Sequence, residues 1–123
     1  MKRFIVAILL SGAMAFGQDR AVRHIDFTEA LISLDGTAMK VDGGTEKLTL
    51  GTVAVNSLLA TLEGDKNLAG TEKVKRYELA KKVFHQSSVV LTAEEISLIK
   101  QRIADAYGPL VVGVAWHLLD PQP

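Results

Sequence analysis

Residues 91–119 read LTAEEISLIKQRIADAYGPLVVGVAWHLL, and this stretch indicates two consecutive helices. Thr92 and Glu95 have the spacing of a capping box, in which each side chain bonds the other residue's backbone N–H. Apolar residues then recur every three or four positions, as on an amphipathic helix; they are Ile96, Ile99, Ile103, Ala106 and Tyr107. Gly108-Pro109 ends this helix and starts another, because glycine favours a C-terminal cap and proline a first helical position.

The second of these helices, residues 110–119, is apolar on almost every side. Such a helix is expected to be buried at the centre of a small domain. If part of it stays exposed, Trp116 and its apolar neighbours would instead form a surface for a partner or a second copy. Trp116 is therefore a candidate partner-binding residue.

Length and composition indicate one small domain without disulfide or thiol chemistry. The chain has 123 residues, no cysteine and a formal net charge of zero. Removing Lys2 and Arg3 with a leader would leave 12 basic residues against 14 acidic ones. A weakly acidic domain is not expected to bind nucleic acid.

The N-terminal residues 1–17, MKRFIVAILLSGAMAFG, have the layout of a secretory signal peptide. Their apolar run is too short to span a bilayer comfortably, so membrane contact is expected only in transit. A polar joint over residues 18–24, one globular domain over 25–120 and a tail over 121–123 would follow. The expected location is the periplasm; the alternatives are an uncleaved hydrophobic N-terminal helix, or an upstream start codon added to a cytoplasmic protein.

The remaining segments predict an α+β fold that is mainly α. Asp35-Gly36 favours a two-residue turn in an N-terminal β-hairpin over residues 25–41, with a helical turn at 28–32 as the alternative. Helices are expected over residues 48–62 and 70–86, and residues 87–91 could add a third short strand to the hairpin. About four helices would thus pack around the C-terminal apolar helix.

The helix over residues 70–86 is expected to turn an apolar stripe inward and a basic face outward. Its predicted inward positions are Val74, Tyr77, Ala80 or Lys81, and Phe84, widened by Leu79 and Val83. Its predicted outward cations are Lys73, Lys75, Arg76, Lys81 and Lys82. Most such faces are merely solvated, but Lys75, Arg76, Lys81 and Lys82 are candidate partner-binding residues.

No pattern in the chain indicates catalysis, a cofactor or a metal. His24, His85 and His117 are not at metal-ligand spacing from one another. Glu94-Glu95 lies in a first helical turn, where acids favour the helix dipole. The glycines match neither a phosphate loop nor a dinucleotide fingerprint. The sequence therefore favours a non-enzymatic protein.

Three segments resemble a family of small, uncharacterised proteins of tailed bacteriophages and prophages. They are TVAVNSLL (52–59), EKVKRYELAKKV (72–83) and LTAEEISLIKQRIADAYGPLVVGVAWHLLD (91–120). The similarity covers about residues 24–120, and members of the family begin near His24, so the leader departs from the pattern. The resemblance implies no activity, cofactor or site residue.

The function expected from these observations is docking on a host or phage protein, in the periplasm if the leader is functional. A nucleic-acid-binding regulator that uses the basic face of residues 73–82 is one alternative. A cytoplasmic phage assembly factor is another.

Overall fold

The structure, a computed structural model, describes residues 22–121. The predicted signal peptide, residues 18–21 of the predicted joint and residues 122–123 of the predicted tail lie outside that range. Within it the chain forms four α-helices and two strands: β1 (Val22–Ile25), α1 (Leu50–Leu59), α2 (Gly70–Val83), β2 (Val89–Thr92), α3 (Ala93–Ala106) and α4 (Pro109–Leu119). A 3-10 turn, Glu63–Asp65, joins α1 to α2.

Helix α1 lies at the centre of the fold and packs against each of the other three helices. Its residues are uncharged, and Leu50, Val53, Ala54 and Leu58 are buried. The hydroxyl of Thr49 accepts the N–H of Thr52 and so caps the first turn. Because this helix has no charged side chain, several of its sides can be buried against neighbours without the cost of desolvating a charge. This explains its central position.

The N-terminal end of α1 packs directly on the backbone of Phe27. The N–H of Gly51 donates to the Phe27 carbonyl over 2.7 Å. A Cβ at position 51 would lie 2.8 Å from that oxygen. Only glycine permits this approach without a shift of the backbone.

Helix α3 begins with the predicted capping box. The N–H of Glu95 donates to the Thr92 hydroxyl, and the N–H of Thr92 donates to the Glu95 carboxylate. Burial raises the pKa of Glu95, but the N–H of Thr92 and the ammonium of Lys82 outweigh this effect, so its pKa lies below the usual range. The apolar stripe predicted for this helix is buried at Ile96, Ile99 and Ile103.

Helix α4 starts at Pro109, as predicted, but its expected central position is wrong. Of its residues, Ala115 and Leu119 are buried, and Leu110 and Trp116 are each 37 % exposed. The helix packs mainly on α3, and α1 takes the central place. An apolar composition thus did not imply full enclosure, because a domain this small cannot cover every side of a terminal helix.

The sheet within the described residues is antiparallel, and it pairs β1 with β2. Ile25 lies opposite Val89, and Arg23 lies opposite Leu91. The extended stretch after α2 therefore pairs mainly with residues assigned to the polar joint, and only Ile25 of its partners belongs to the predicted hairpin. Its burial alternates along Val89–Thr92, so one face of the strand lies on the core.

The predicted hairpin is present as a tight turn rather than as two full strands. Gly36 has a φ of +87°, and Ile32 forms an isolated bridge with Ala38 across the turn. The backbone N–H and the hydroxyl of Thr37 both donate to the Asp35 carboxylate, and these two hydrogen bonds stabilise the turn. The predicted class, α+β and mainly α, is confirmed.

Candidate functional site

A buried ion-pair network fixes the orientation of α2. Asp65 sits on the 3-10 turn between α1 and α2 and is buried. Its Oδ1 accepts from Arg76 of α2 and from Arg102 of α3, each over 3.1 Å. The N–H of Leu62 and the Arg102 guanidinium lower the pKa of Asp65 to about 2. The carboxylate therefore joins three elements while it remains charged.

Arg102 extends this network to the C-terminal end of α1. Its Nε donates to the Ser57 carbonyl over 3.1 Å, and its Nη2 donates to the Ala60 carbonyl over 2.8 Å. These carbonyls lie where a helix lacks internal partners. A buried cation at that end also complements the helix dipole. Arg102 thus anchors α1, α3 and the 3-10 turn in one arrangement.

The predicted orientation of α2 is confirmed for Leu79, Ala80 and Val83, which are buried, but it is wrong for Arg76, which points inward. Its guanidinium pairs with Asp65, and its side chain is only 14 % exposed. The buried residues of α2 are Leu79, Ala80 and Val83, which follow Arg76 at the spacing of one helix face. Arg76 is therefore held on the inner side of α2, and not on the predicted basic face.

A second side of α2 exposes three large apolar residues that were predicted to lie inside. Val74 is 57 % exposed, Tyr77 is 51 % exposed and Phe84, just past the helix end, is 54 % exposed. Their spacings of three and seven residues place them along one side of the helix. This apolar row faces solvent because the row beginning at Arg76 takes the inner side.

Helix α1 adds apolar surface beside this row. Leu59 is exposed and lines a recess together with Lys73 of α2. Val55 lines a second recess together with Phe84. We call the surface formed by Leu59, Val74, Tyr77 and Phe84 the docking face. It combines two adjacent helices, with one recess beside Leu59 and another beside Phe84; the second is also lined by Glu46 and Lys47.

The lysines predicted as partner contacts differ in how far they are engaged. Lys82 bonds both carboxylate oxygens of Glu95 over 3.0 Å. Lys81 lies 3.8 Å from Glu78 and 5.3 Å from the centroid of the Tyr77 ring. Lys75 is exposed and forms no ion pair with any of residues 22–121. Lys75 and Lys81 therefore present their charge to solvent more freely than Lys82.

Trp116, the remaining predicted contact, lies on another surface. Its indole N–H donates to the Lys100 carbonyl over 3.0 Å, and the Lys100 ammonium lies 4.6 Å from its ring centroid. It lines a recess with Arg23 and Asp120, whereas the candidate lysines line the groove between α2 and α3. The structure thus brings Lys75, Lys81 and Lys82 to one groove and leaves Arg76 and Trp116 elsewhere.

Residues 22–121 contain no group of three His, Asp or Glu side chains placed to hold a metal ion. His24, His85 and His117 are all exposed and lie on different elements. Over the same residues, no helix combines the length and apolar character needed to cross a membrane.

Sequence reasoning missed the docking face because it assigned every large apolar residue of α2 to the core. A signal was nevertheless present: Arg76, Leu79, Ala80 and Val83 also have helical spacing. Choosing that row required knowing that Asp65 would be buried opposite Arg76. The comparisons with protein-family models, curated proteins and solved structures each find no match for this chain.

Proposed function

We propose that this protein is non-enzymatic and acts by docking on another protein through the docking face. The supporting observation is the row Val74, Tyr77 and Phe84, each more than half exposed on one side of α2. Adjacent exposed apolar residues on a small domain mark interaction surfaces, and aromatic residues contribute most to protein binding. The fold does not need this row inside, since Arg76 and its neighbours occupy the inner side.

The identity and compartment of the partner form the second part of the proposal. The resemblance to tailed-phage proteins favours a host or phage protein as the partner. The pattern of residues 1–17 favours a periplasmic encounter. An uncleaved N-terminus would instead favour a cytoplasmic assembly role.

The proposal is tested by capture of a partner from fractionated host extract. The test variant Tyr77→Ser/Phe84→Ser removes two aromatic rings from the docking face. The matched control Ile32→Ser/Leu34→Ser removes two exposed apolar side chains from the hairpin turn. All four positions are about half exposed or more, so both variants are expected to fold, as circular dichroism can verify.

We expect the wild type and the control to capture the same protein. The amount captured by the test variant should be lower by roughly tenfold or more. Equal recovery by all three chains, or no specific recovery by the wild type in either compartment, would refute docking through this face. Recovery of nucleic acid lost on mutation of Lys73, Lys75 and Lys81 would favour the regulator alternative.

A further inference from the structure

The charged residues around the docking face bear on which class of partner it binds. This inference rests on the proposed function. Helix α1 contributes no charged residue. On α2, Lys73 and Lys81 lie four residues before and after Tyr77 and so flank it along the same side of the helix. Glu78 is exposed and lies 3.8 Å from Lys81. The recess beside Phe84 is also lined by Glu46 and Lys47, whose opposite charges offset each other. Lys73 and Lys81 outnumber Glu78, so the edge of the face along α2 is apolar within and carries a net positive charge.

The shape of the face favours a helix as its occupant. From Val74 to Phe84 the row is ten residues long, or about 15 Å along a helix axis. That length matches the apolar anchors of two to three turns of a partner helix laid along the row. A bound strand would need a free sheet edge, whereas α1 and α2 satisfy their backbone groups internally.

We infer that the docking face binds an amphipathic helix whose polar border is acidic. A second copy is a poorer occupant, because a two-fold dimer would place Lys73 and Lys81 against the same lysines of its partner. A lipid surface is poorer too, because membrane-bound helices present a convex apolar face. Here Leu59 and Val55 of α1 build recesses beside the row.

The experiment is selection from a displayed library of random peptides of about 16 residues, long enough for four helical turns. The bait is the full chain, and unlabelled Tyr77→Ser/Phe84→Ser chain serves for counter-selection. Selected peptides are synthesised, and their affinities are measured for the wild type, for Lys73→Glu/Lys81→Glu and for the control Lys40→Glu/Lys66→Glu. The control reverses two exposed lysines that line neither recess of the docking face. Circular dichroism reports whether each peptide is helical when bound.

We expect selected peptides to be helical, to carry apolar residues at i, i+3 or i+4 and i+7, and to be rich in Asp and Glu. Lys73→Glu/Lys81→Glu should weaken peptide affinity by roughly tenfold, and the control variant should weaken it by less than about threefold. Added salt should weaken the wild-type complex and leave the reversed variant almost unchanged.

Peptides that require Tyr77 and Phe84 but are basic, neutral or extended would overturn the inference and leave the proposed docking function standing. Self-association of the chain, or binding to vesicles of anionic lipid, that is lost in Tyr77→Ser/Phe84→Ser would also overturn it. Failure to select any peptide that depends on these two aromatic residues would count against both the inference and the proposed function.

Discussion

Replacement of Arg102 by methionine tests the network that orients α2. Methionine approximates the length of arginine but has neither charge nor donors. In the folded chain Arg102 is 3 % exposed and bonds Asp65 together with the carbonyls of Ser57 and Ala60. The substitution leaves those two carbonyls without their donors, and it removes one of the two guanidinium groups that neutralise Asp65.

The expected loss is a large part of the stability of the domain. Breaking a buried ion pair by removing one partner costs about 3–5 kcal/mol, because the other charge stays buried. Arg76 still contacts Asp65, which places the expected value near the lower end, about 3 kcal/mol. For a domain of about 100 residues this lowers the melting temperature by roughly 12–24 °C.

The assay is urea unfolding followed by far-ultraviolet circular dichroism, with linear extrapolation of the free energy to water. Lys82→Met is the control, since it breaks the solvent-exposed pair with Glu95 and should cost less than about 1 kcal/mol. A cost below about 1 kcal/mol for Arg102→Met would refute the idea that buried ion pairs orient the helices.

Three further substitutions are checked by the same assay. Because the pKa of Asp65 falls from 3.8 to about 2 on folding, its contribution to stability should be complete above about pH 4 and lost as the pH falls towards 2. Asp65→Asn should abolish this part of the pH dependence, and an unchanged acid profile would contradict the assignment. Thr92→Ala should cost roughly 1 kcal/mol through the lost cap, and a neutral result would mean that the capping box adds no stability. Gly51→Ala should cost about 1–3 kcal/mol because its Cβ meets the Phe27 carbonyl; an unchanged midpoint would show that the backbone yields there.

Local signals in the sequence predicted the four helices, although those expected over residues 48–62 and 70–86 are shorter in the structure, Leu50–Leu59 and Gly70–Val83. The capping box at Thr92 and Glu95 starts α3, and Gly108-Pro109 separates α3 from α4, as expected. These features depend on residues within one turn of each other, so the sequence contains all the information they need. The Asp35-Gly36 turn is of the same kind.

Features that depend on distant residues were not predicted. From the sequence alone, Arg76 and Arg102 are expected to be surface cations. Their shared partner Asp65 is 11 residues from Arg76 and 37 residues from Arg102, so the pairing is visible only in the structure. The partner of β2 was also misassigned, since Val22–Ile25 contains Arg23 and His24, which suggested a polar joint. The first error arises because a charged residue does not reveal whether a partner elsewhere compensates its burial. The second arises because Arg23 and His24 are exposed on a strand that still pairs through its backbone.

The most direct test of the central claim is hydroxyl-radical footprinting of the dilute monomer, read residue by residue by mass spectrometry. Tyr77 and Phe84 should react almost as fast as in the urea-unfolded chain, because both are more than half exposed. Phe27, which is 1 % exposed, should react many times more slowly. Protection of Tyr77 and Phe84 equal to that of Phe27 in the monomer would contradict the orientation of α2 and, with it, the docking face.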